Sequence, residues 1–199
     1  MAKFGEQMIK VIAFDYADVI AESPMSKWVR ENIHPDDEKL IALREKAHIW
    51  DVGKMSIKEV YEFLGEITGI APELIWENFY EKSLPNKEVI DLIRELKKNY
   101  KIILFSNFIA KLLRKLLNKY GITDLFDEII ISSEYKMRKP DPKFFELLIK
   151  RTGVKKTEII FTDDQIKNVN GANEFGIKAF LFINAGQLVK DLKTQGVKI

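Results

Sequence analysis

Five short, mostly continuous apolar runs divide the chain: residues 8–14 (MIKVIAF), 101–105 (KIILF), 128–131 (EIII), 158–161 (EIIF) and 178–183 (KAFLFI). Their apolar residues follow one another instead of alternating with polar ones. Such runs suit strands that are covered on both faces. Helical patterns lie between them. Asn86, Lys87 and Glu88 open a segment over 89–100 in which Val89, Ile90, Ile93 and Leu96 share one face. Asp141 and Pro142 open a helix over 144–151 that Gly153 stops, and a helix over 165–175 ends at Gly176. Strand–helix alternation predicts an α/β fold: a doubly wound parallel sheet with right-handed crossovers.

One connection breaks the alternation. No strand-like run occurs over 21–85, where helical stretches cover 36–50, 56–68 and 72–82. Ser56 with Glu59 reads as a capping box, and Gly69 ends that helix. A connection of about 60 residues is too long for one crossover helix or a bare loop. The expected organisation is an α/β core domain of residues 1–22 and 84–199, with a helical cap domain of residues 23–83 inserted after the first strand.

Composition narrows the function class. The 199 residues include no cysteine and two histidines, which excludes a disulfide framework and disfavours structural zinc. With 32 basic and 30 acidic residues, the net charge of +2 gives no bulk attraction to nucleic acid or anionic membranes. There is no apolar stretch long enough for a membrane span, and MAKFGEQMIKVIAFDY lacks the pattern of a secretory signal. The expectation is a cytoplasmic protein, monomeric or weakly dimeric, that acts on a small molecule and binds neither nucleic acid nor membrane. The basic amphipathic stretch over 109–120 is read as a helix packing Leu112, Leu113 and Leu116 on the sheet.

Ligands of open α/β sheets bind beyond the carboxyl ends of the strands. Asp15 follows the first run, and Ser106 and Asn107 follow the second. Arg138, Lys139, Pro140 and Asp141 follow the third after a short loop. Thr162, Asp163 and Asp164 follow the fourth, with Asn168 beyond them. Taken singly, Asp15 is a turn acid, Ser106 a helix cap, Lys139 a loop lysine and Asp163–Asp164 another cap. Taken together and in this order, two acids, a hydroxyl and a lysine suit a divalent cation and a phosphate.

VIAFDYADVI, ILFSN, MRKPDPKFFE and IIFTDDQIKNVNGANEFGI resemble the four motifs of the haloacid dehalogenase (HAD) superfamily, over nearly the full chain. DVGKMSIKEVYEFL resembles the small helical cap of the subgroup with bacterial α-glucose-1-phosphate phosphatase and the N-terminal phosphatase domain of soluble epoxide hydrolase. The resemblance implies a Rossmann-like sheet of order 5-4-1-2-3. It also implies a Mg²⁺-dependent phosphatase that works on a small phosphorylated metabolite through an aspartyl-phosphate. Asp15 would be the nucleophile and would share the Mg²⁺ with Asp164 and the backbone carbonyl of Ala17. Asp163 and Asn168 would support the metal. Ser106 and the Asn107 backbone would bind a phosphoryl oxygen, and Lys139 would offset the negative charge around Asp15.

The pattern fails at one position. Phosphatases of this superfamily carry an acid–base Asp two residues after the nucleophile, where this chain has Ala17. Such proton transfer is worth about 10²–10⁴-fold. Relatives with FDLGNV-like motifs also lack this Asp, which keeps a phosphatase as the leading reading: slow, selective for good leaving groups, or rescued by another group such as the neighbouring Asp18. The alternatives are a metal-free 2-haloacid dehalogenase, a phosphonatase using Lys54 or Lys58 as a Schiff base, and a catalytically impaired binding module. His34 is assigned to a cap turn and His48 to a helix end that can touch substrate. Trp28, Trp50, Tyr61, Phe63 and Trp76 are assigned to cap packing.

Overall fold

The computed structural model describes residues 8–199. Its five strands are β1 (Val11–Phe14), β2 (Lys101–Ser106), β3 (Glu128–Ile131), β4 (Ile159–Asp163) and β5 (Lys178–Leu181). They form one parallel sheet of order β3-β2-β1-β4-β5, which is the expected order. Successive β1 side chains enter opposite cores. Ile12 and Phe14 join one apolar cluster, Val11 and Ala13 the other, and all four are fully buried. A sheet buried on both faces is what continuous apolar runs require.

Two strands are shorter than their apolar runs. β1 starts at Val11: Met8 is exposed, and Lys10 leads into the strand by donating its N–H to the Glu158 carbonyl and accepting from Lys101 N–H. β5 stops at Leu181, beyond which Ile183 is exposed.

Helices α5 (Lys87–Leu96), α6 (Ala110–Lys119) and α10 (Ala185–Thr194) contribute to the cluster holding Phe14. Helices α8 (Pro142–Thr152) and α9 (Ile166–Phe175) cover the other face through Phe144, Phe145, Leu148, Val169 and Ala172. A single turn, α7 (Ser132–Tyr135), follows β3.

The insertion contains α1 (Pro24–Asn32), α2 (Lys39–Asp51), α3 (Ile57–Thr68) and α4 (Pro72–Lys82). The capping box is present: Glu59 N–H donates to Ser56 Oγ at 3.2 Å, and Ser56 N–H to Glu59 Oε2 at 2.6 Å. Helix α1 is an addition to the expected three. Its local signal is Ser23–Pro24, in which Ser23 Oγ accepts from Ser26 N–H and Pro24 opens the first turn. Trp28, Leu43, Trp50, Val60, Leu64, Ile75 and Phe79 join the α5–α6 side core. The chain enters and leaves the insertion along paired backbone, with Glu22 N–H to the Leu84 carbonyl and Asn86 N–H to the Ile20 carbonyl. Among the described residues no helix is long and apolar enough to cross a membrane.

Candidate active site

The strand order reverses between β1 and β4, so a crevice opens at their carboxyl ends. Asp15 N–H continues the β1–β4 ladder by donating to the Thr162 carbonyl at 3.0 Å. The chain then turns sharply as the Tyr16 carbonyl accepts from Ile20 and Ala21 N–H. Asp18 adopts φ +55° in this turn, and its Oδ1 accepts from Ser23 N–H at 2.9 Å.

Lys139 is fully buried, and its ammonium has three close oxygen partners. Nζ lies 2.6 Å from Asp163 Oδ2 and 3.0 Å from Asp15 Oδ1, and it donates to the Phe105 carbonyl at 2.9 Å. The Phe161 ring centroid is 4.9 Å away, which adds a cation–π contact. Asn107 fixes the backbone here from both sides. Its Oδ1 accepts from Lys139 N–H at 2.8 Å and its Nδ2 donates to the Lys139 carbonyl at 3.0 Å. This side-chain clamp was not anticipated; only the Asn107 backbone was. Helix α9 presses against the same loop, since a Cβ on Gly171 would sit 2.6 Å from Pro140 Cβ. Only glycine allows that approach.

The adjacent acids Asp163 and Asp164 differ in their surroundings. Asp163 is saturated: besides Lys139, it accepts from Gln165 N–H at 2.8 Å and from Asn168 Nδ2 at 2.9 Å. Asp164 Oδ1 is buried with no partner among the described residues. Asp15 Oδ1 has an ionic contact to Lys139 and, among the described residues, no hydrogen bond of normal geometry. Ser106 Oγ and Asn168 Oδ1 are likewise buried and unpartnered. The carboxylates of Asp15, Asp163 and Asp164 each offer an oxygen within 4.8 Å of the others. Buried acceptors without donors are uncommon in proteins, and a cluster of them marks a place for a cation or ligand.

The electrostatics follow from that crowding. Burial raises Asp15 to about 6, partly countered by Lys139 and reinforced by Asp163. Burial, then the charges of Asp15, Asp163 and Asp18, raises Asp164 to about 7. Burial opposes the charge on Lys139, but Asp15 and Asp163 outweigh it and hold the ammonium above its ordinary value. A carboxyl raised on folding binds protons more tightly in the folded state than in the unfolded one. Stability is therefore greatest below the unfolded pKa and falls as pH rises through the folded one. We expect the metal-free protein to lose stability between about pH 4 and pH 7 through these groups. Urea midpoints measured across that range in chelator check this; a midpoint that rises throughout would contradict it.

All eight residues anticipated from the sequence come together. Asp15, Ala17, Asn107, Asp164 and Asn168 line one cavity of about 170 Å³, while Ser106, Lys139 and Asp163 are buried at the same strand ends. Beyond them the cavity has largely apolar walls, including Met25, Val60, Phe79, Phe108, Ile109 and Leu112. Trp50 and Tyr61, assigned above to packing alone, are buried and also line it. Arg138 and Asp51 were not anticipated as a pair. They line the same cavity and form an ion pair at 3.2 Å. His48 contacts Arg138, whose charge, followed by burial and Lys167, lowers its pKa. His34 lies on an exposed turn. Lys54 and Lys58 are exposed and neither lines the cavity.

A family model for haloacid dehalogenase-like hydrolases matches residues 6–182. A D-ribitol-5-phosphate phosphatase of Bacteroides thetaiotaomicron is 25% identical over 190 residues, covering 87% of this chain and 91% of that protein. A sesquiterpene phosphatase of Aspergillus oryzae is 31% identical over 129 residues, covering 63% of this chain and 66% of its own length. Among solved structures, a HAD family enzyme of Bacteroides thetaiotaomicron superimposes with a TM-score of 0.74 at 22% identity, covering 94% of this chain and 98% of that one. The same enzyme in complex with magnesium and inorganic phosphate gives a TM-score of 0.67 at 22% identity, covering 89% of this chain and 96% of that one.

Proposed function

This chain belongs to the haloacid dehalogenase-like hydrolase family, and from that premise we propose that it is a Mg²⁺-dependent phosphatase working through an aspartyl-phosphate on Asp15. The observation that carries this reading is the group of unpartnered oxygens on Asp15, Asp164 and Ser106 beside a fully buried lysine. In this reading residues 23–83 act as a cap domain over a core of residues 1–22 and 84–199. A cytoplasmic enzyme, monomeric or weakly dimeric, accords with it.

The donor set fits Mg²⁺. It is made of hard oxygens, with no histidine or sulfur. Asp163 already uses both of its oxygens, so Asp15 and Asp164 would hold the cation with the Ala17 carbonyl. Asn168, hydrogen-bonded to Asp163, would support them from behind. When bound, Mg²⁺ neutralises charge on the phosphoryl oxygens and on the crowded carboxylates.

The protein's own groups do the rest. A carboxylate oxygen of Asp15 attacks phosphorus, the bond to the leaving oxygen breaks, and water later attacks the phosphorus of the acyl-phosphate. Ser106 Oγ, buried beside Asp15, would donate to a phosphoryl oxygen. Lys139, immobilised by Asp163 and the Asn107 clamp, supplies a fixed positive charge without reorganisation. The apolar walls favour an organic portion that is small and weakly polar. The exposed positions of Lys54 and Lys58 disfavour a Schiff-base mechanism. The free oxygens of Asp15 and Asp164 favour a cation-dependent reaction over a metal-free dehalogenase.

Phosphate release from aryl, acyl and sugar monophosphates, with Mg²⁺ and with chelator, tests the proposal. Release that requires Mg²⁺ and favours the less polar substrates is expected. Release that is indifferent to chelator would reject the metal-dependent mechanism, and halide release from a 2-haloacid without Mg²⁺ would replace it.

A further inference from the structure

We propose that Asp51 is the general acid and base of this reaction, reaching the cavity from the helical insertion in place of the acid absent at position 17. The inference rests on the phosphatase reading. Four carboxyl-bearing residues line the cavity among the described residues: Asp15, Asp18, Asp51 and Asp164. Two of them are assigned to nucleophile and cation. Asp18 is committed to its turn, where Oδ1 accepts from Ser23 N–H. Asp51 remains.

Its position is fixed from several directions. Asp51 ends α2, and its carbonyl accepts a short hydrogen bond from Ser132 Oγ at 2.5 Å. Its carboxylate pairs with Arg138, and both side chains are largely buried, at 14% and 16% exposure. Two residues on, a Cβ at Gly53 would sit 2.4 Å from the Ser133 carbonyl oxygen, so the end of α2 lies directly on α7. A carboxyl held this way has few conformations to lose when it meets substrate.

The surroundings suit proton transfer. Burial raises Asp51 to about 6, even though Arg138, Lys167 and Lys139 all act to lower it. His48, on the same helix, contacts Arg138, whose charge lowers its pKa. Both protonation states of Asp51 are therefore accessible near neutrality, as an acid that must later act as a base requires. As the Asp15–phosphorus bond forms and the bond to the leaving oxygen breaks, the Asp51 carboxyl gives its proton to that oxygen and the alcohol departs. The Asp51 carboxylate then takes a proton from the water that attacks phosphorus. The Asp15–phosphorus bond breaks, and inorganic phosphate leaves.

The test compares kcat/KM for an alkyl phosphate and for p-nitrophenyl phosphate, since only the poor leaving group needs the proton. Asp51→Asn keeps an oxygen for Arg138, and its melting temperature confirms folding. We expect it to lose about 10²–10³-fold on the alkyl substrate and less than about tenfold on the aryl one. Adding Ala17→Asp to that variant should restore alkyl activity by at least about tenfold. Asp18→Asn should keep the wild-type alkyl-to-aryl ratio. A leaving-group series on the unaltered protein needs no variant and should give a shallow dependence on alcohol acidity. Equal losses on both substrates, a selective alkyl loss in Asp18→Asn, or a steep wild-type dependence would overturn the role of Asp51 while leaving the phosphatase standing. Wild-type protein that releases phosphate from no substrate would overturn both.

Discussion

Asp15→Asn will lower Mg²⁺-dependent phosphate release by at least about 10⁴-fold while the protein stays folded. The amide has nearly the shape of the carboxylate but is no nucleophile toward phosphorus. The fold tolerates the change because Lys139 keeps Asp163 at 2.6 Å, so no buried charge loses its last partner. The pH dependence has a definite sign. Folding raises Asp15 to about 6, so its ionised form burdens the metal-free protein above that pH. The variant should therefore compare more favourably with wild type at pH 8 than at pH 5 in chelator. Phosphate release together with urea midpoints at both pH values checks this. Turnover within about tenfold of wild type would remove Asp15 from the nucleophilic role.

Lys139→Met will be the most destabilising of the site variants, by about 3–5 kcal/mol, and will also abolish turnover. Methionine fills the same space against Phe105 and Phe161 but carries no charge. It strands Asp163, which is fully buried, and removes the cation paired with Asp15. Breaking a buried ion pair from one side costs far more than an exposed pair contributes, because the remaining charge stays desolvated. The loss should shrink at low pH, where Asp15, raised by burial to about 6, takes up a proton. Urea denaturation at pH 8 and pH 5 reads both effects. A loss under about 1 kcal/mol at pH 8 would mean that Lys139 carries little of the local charge balance.

The sheet was legible because a parallel strand buried on both faces must be apolar at nearly every position, as Val11 to Phe14 and Ile159 to Phe161 are. Strand ends were less so. The apolar pattern runs on past Leu181, but the ladder register ends there, and pairing rather than hydropathy stops a strand. Helix α1 has little apolar content to mark it, because PMSKWVREN is short and mostly polar; its signal lies in Ser23–Pro24. The candidate site was legible as a set, since each member follows a strand. What the order of residues does not encode is which of two adjacent acids is saturated. Asp163 and Asp164 differ only through Lys139, Gln165 and Asn168, which the fold brings to one of them. The Arg138–Asp51 pair has no local signal at all, because it exists only where α2 docks on α7 and the segment that follows it.

The decisive measurement is a rapid acid quench of the wild-type protein turning over an aryl phosphate with Mg²⁺, followed by peptide mass spectrometry. The peptide containing Asp15 should carry the added mass of one phosphoryl group, and the same quench with chelator should leave it bare. Phosphate released at full rate while that peptide stays unmodified at every time point, or a phosphoryl group found on another side chain, would contradict the account.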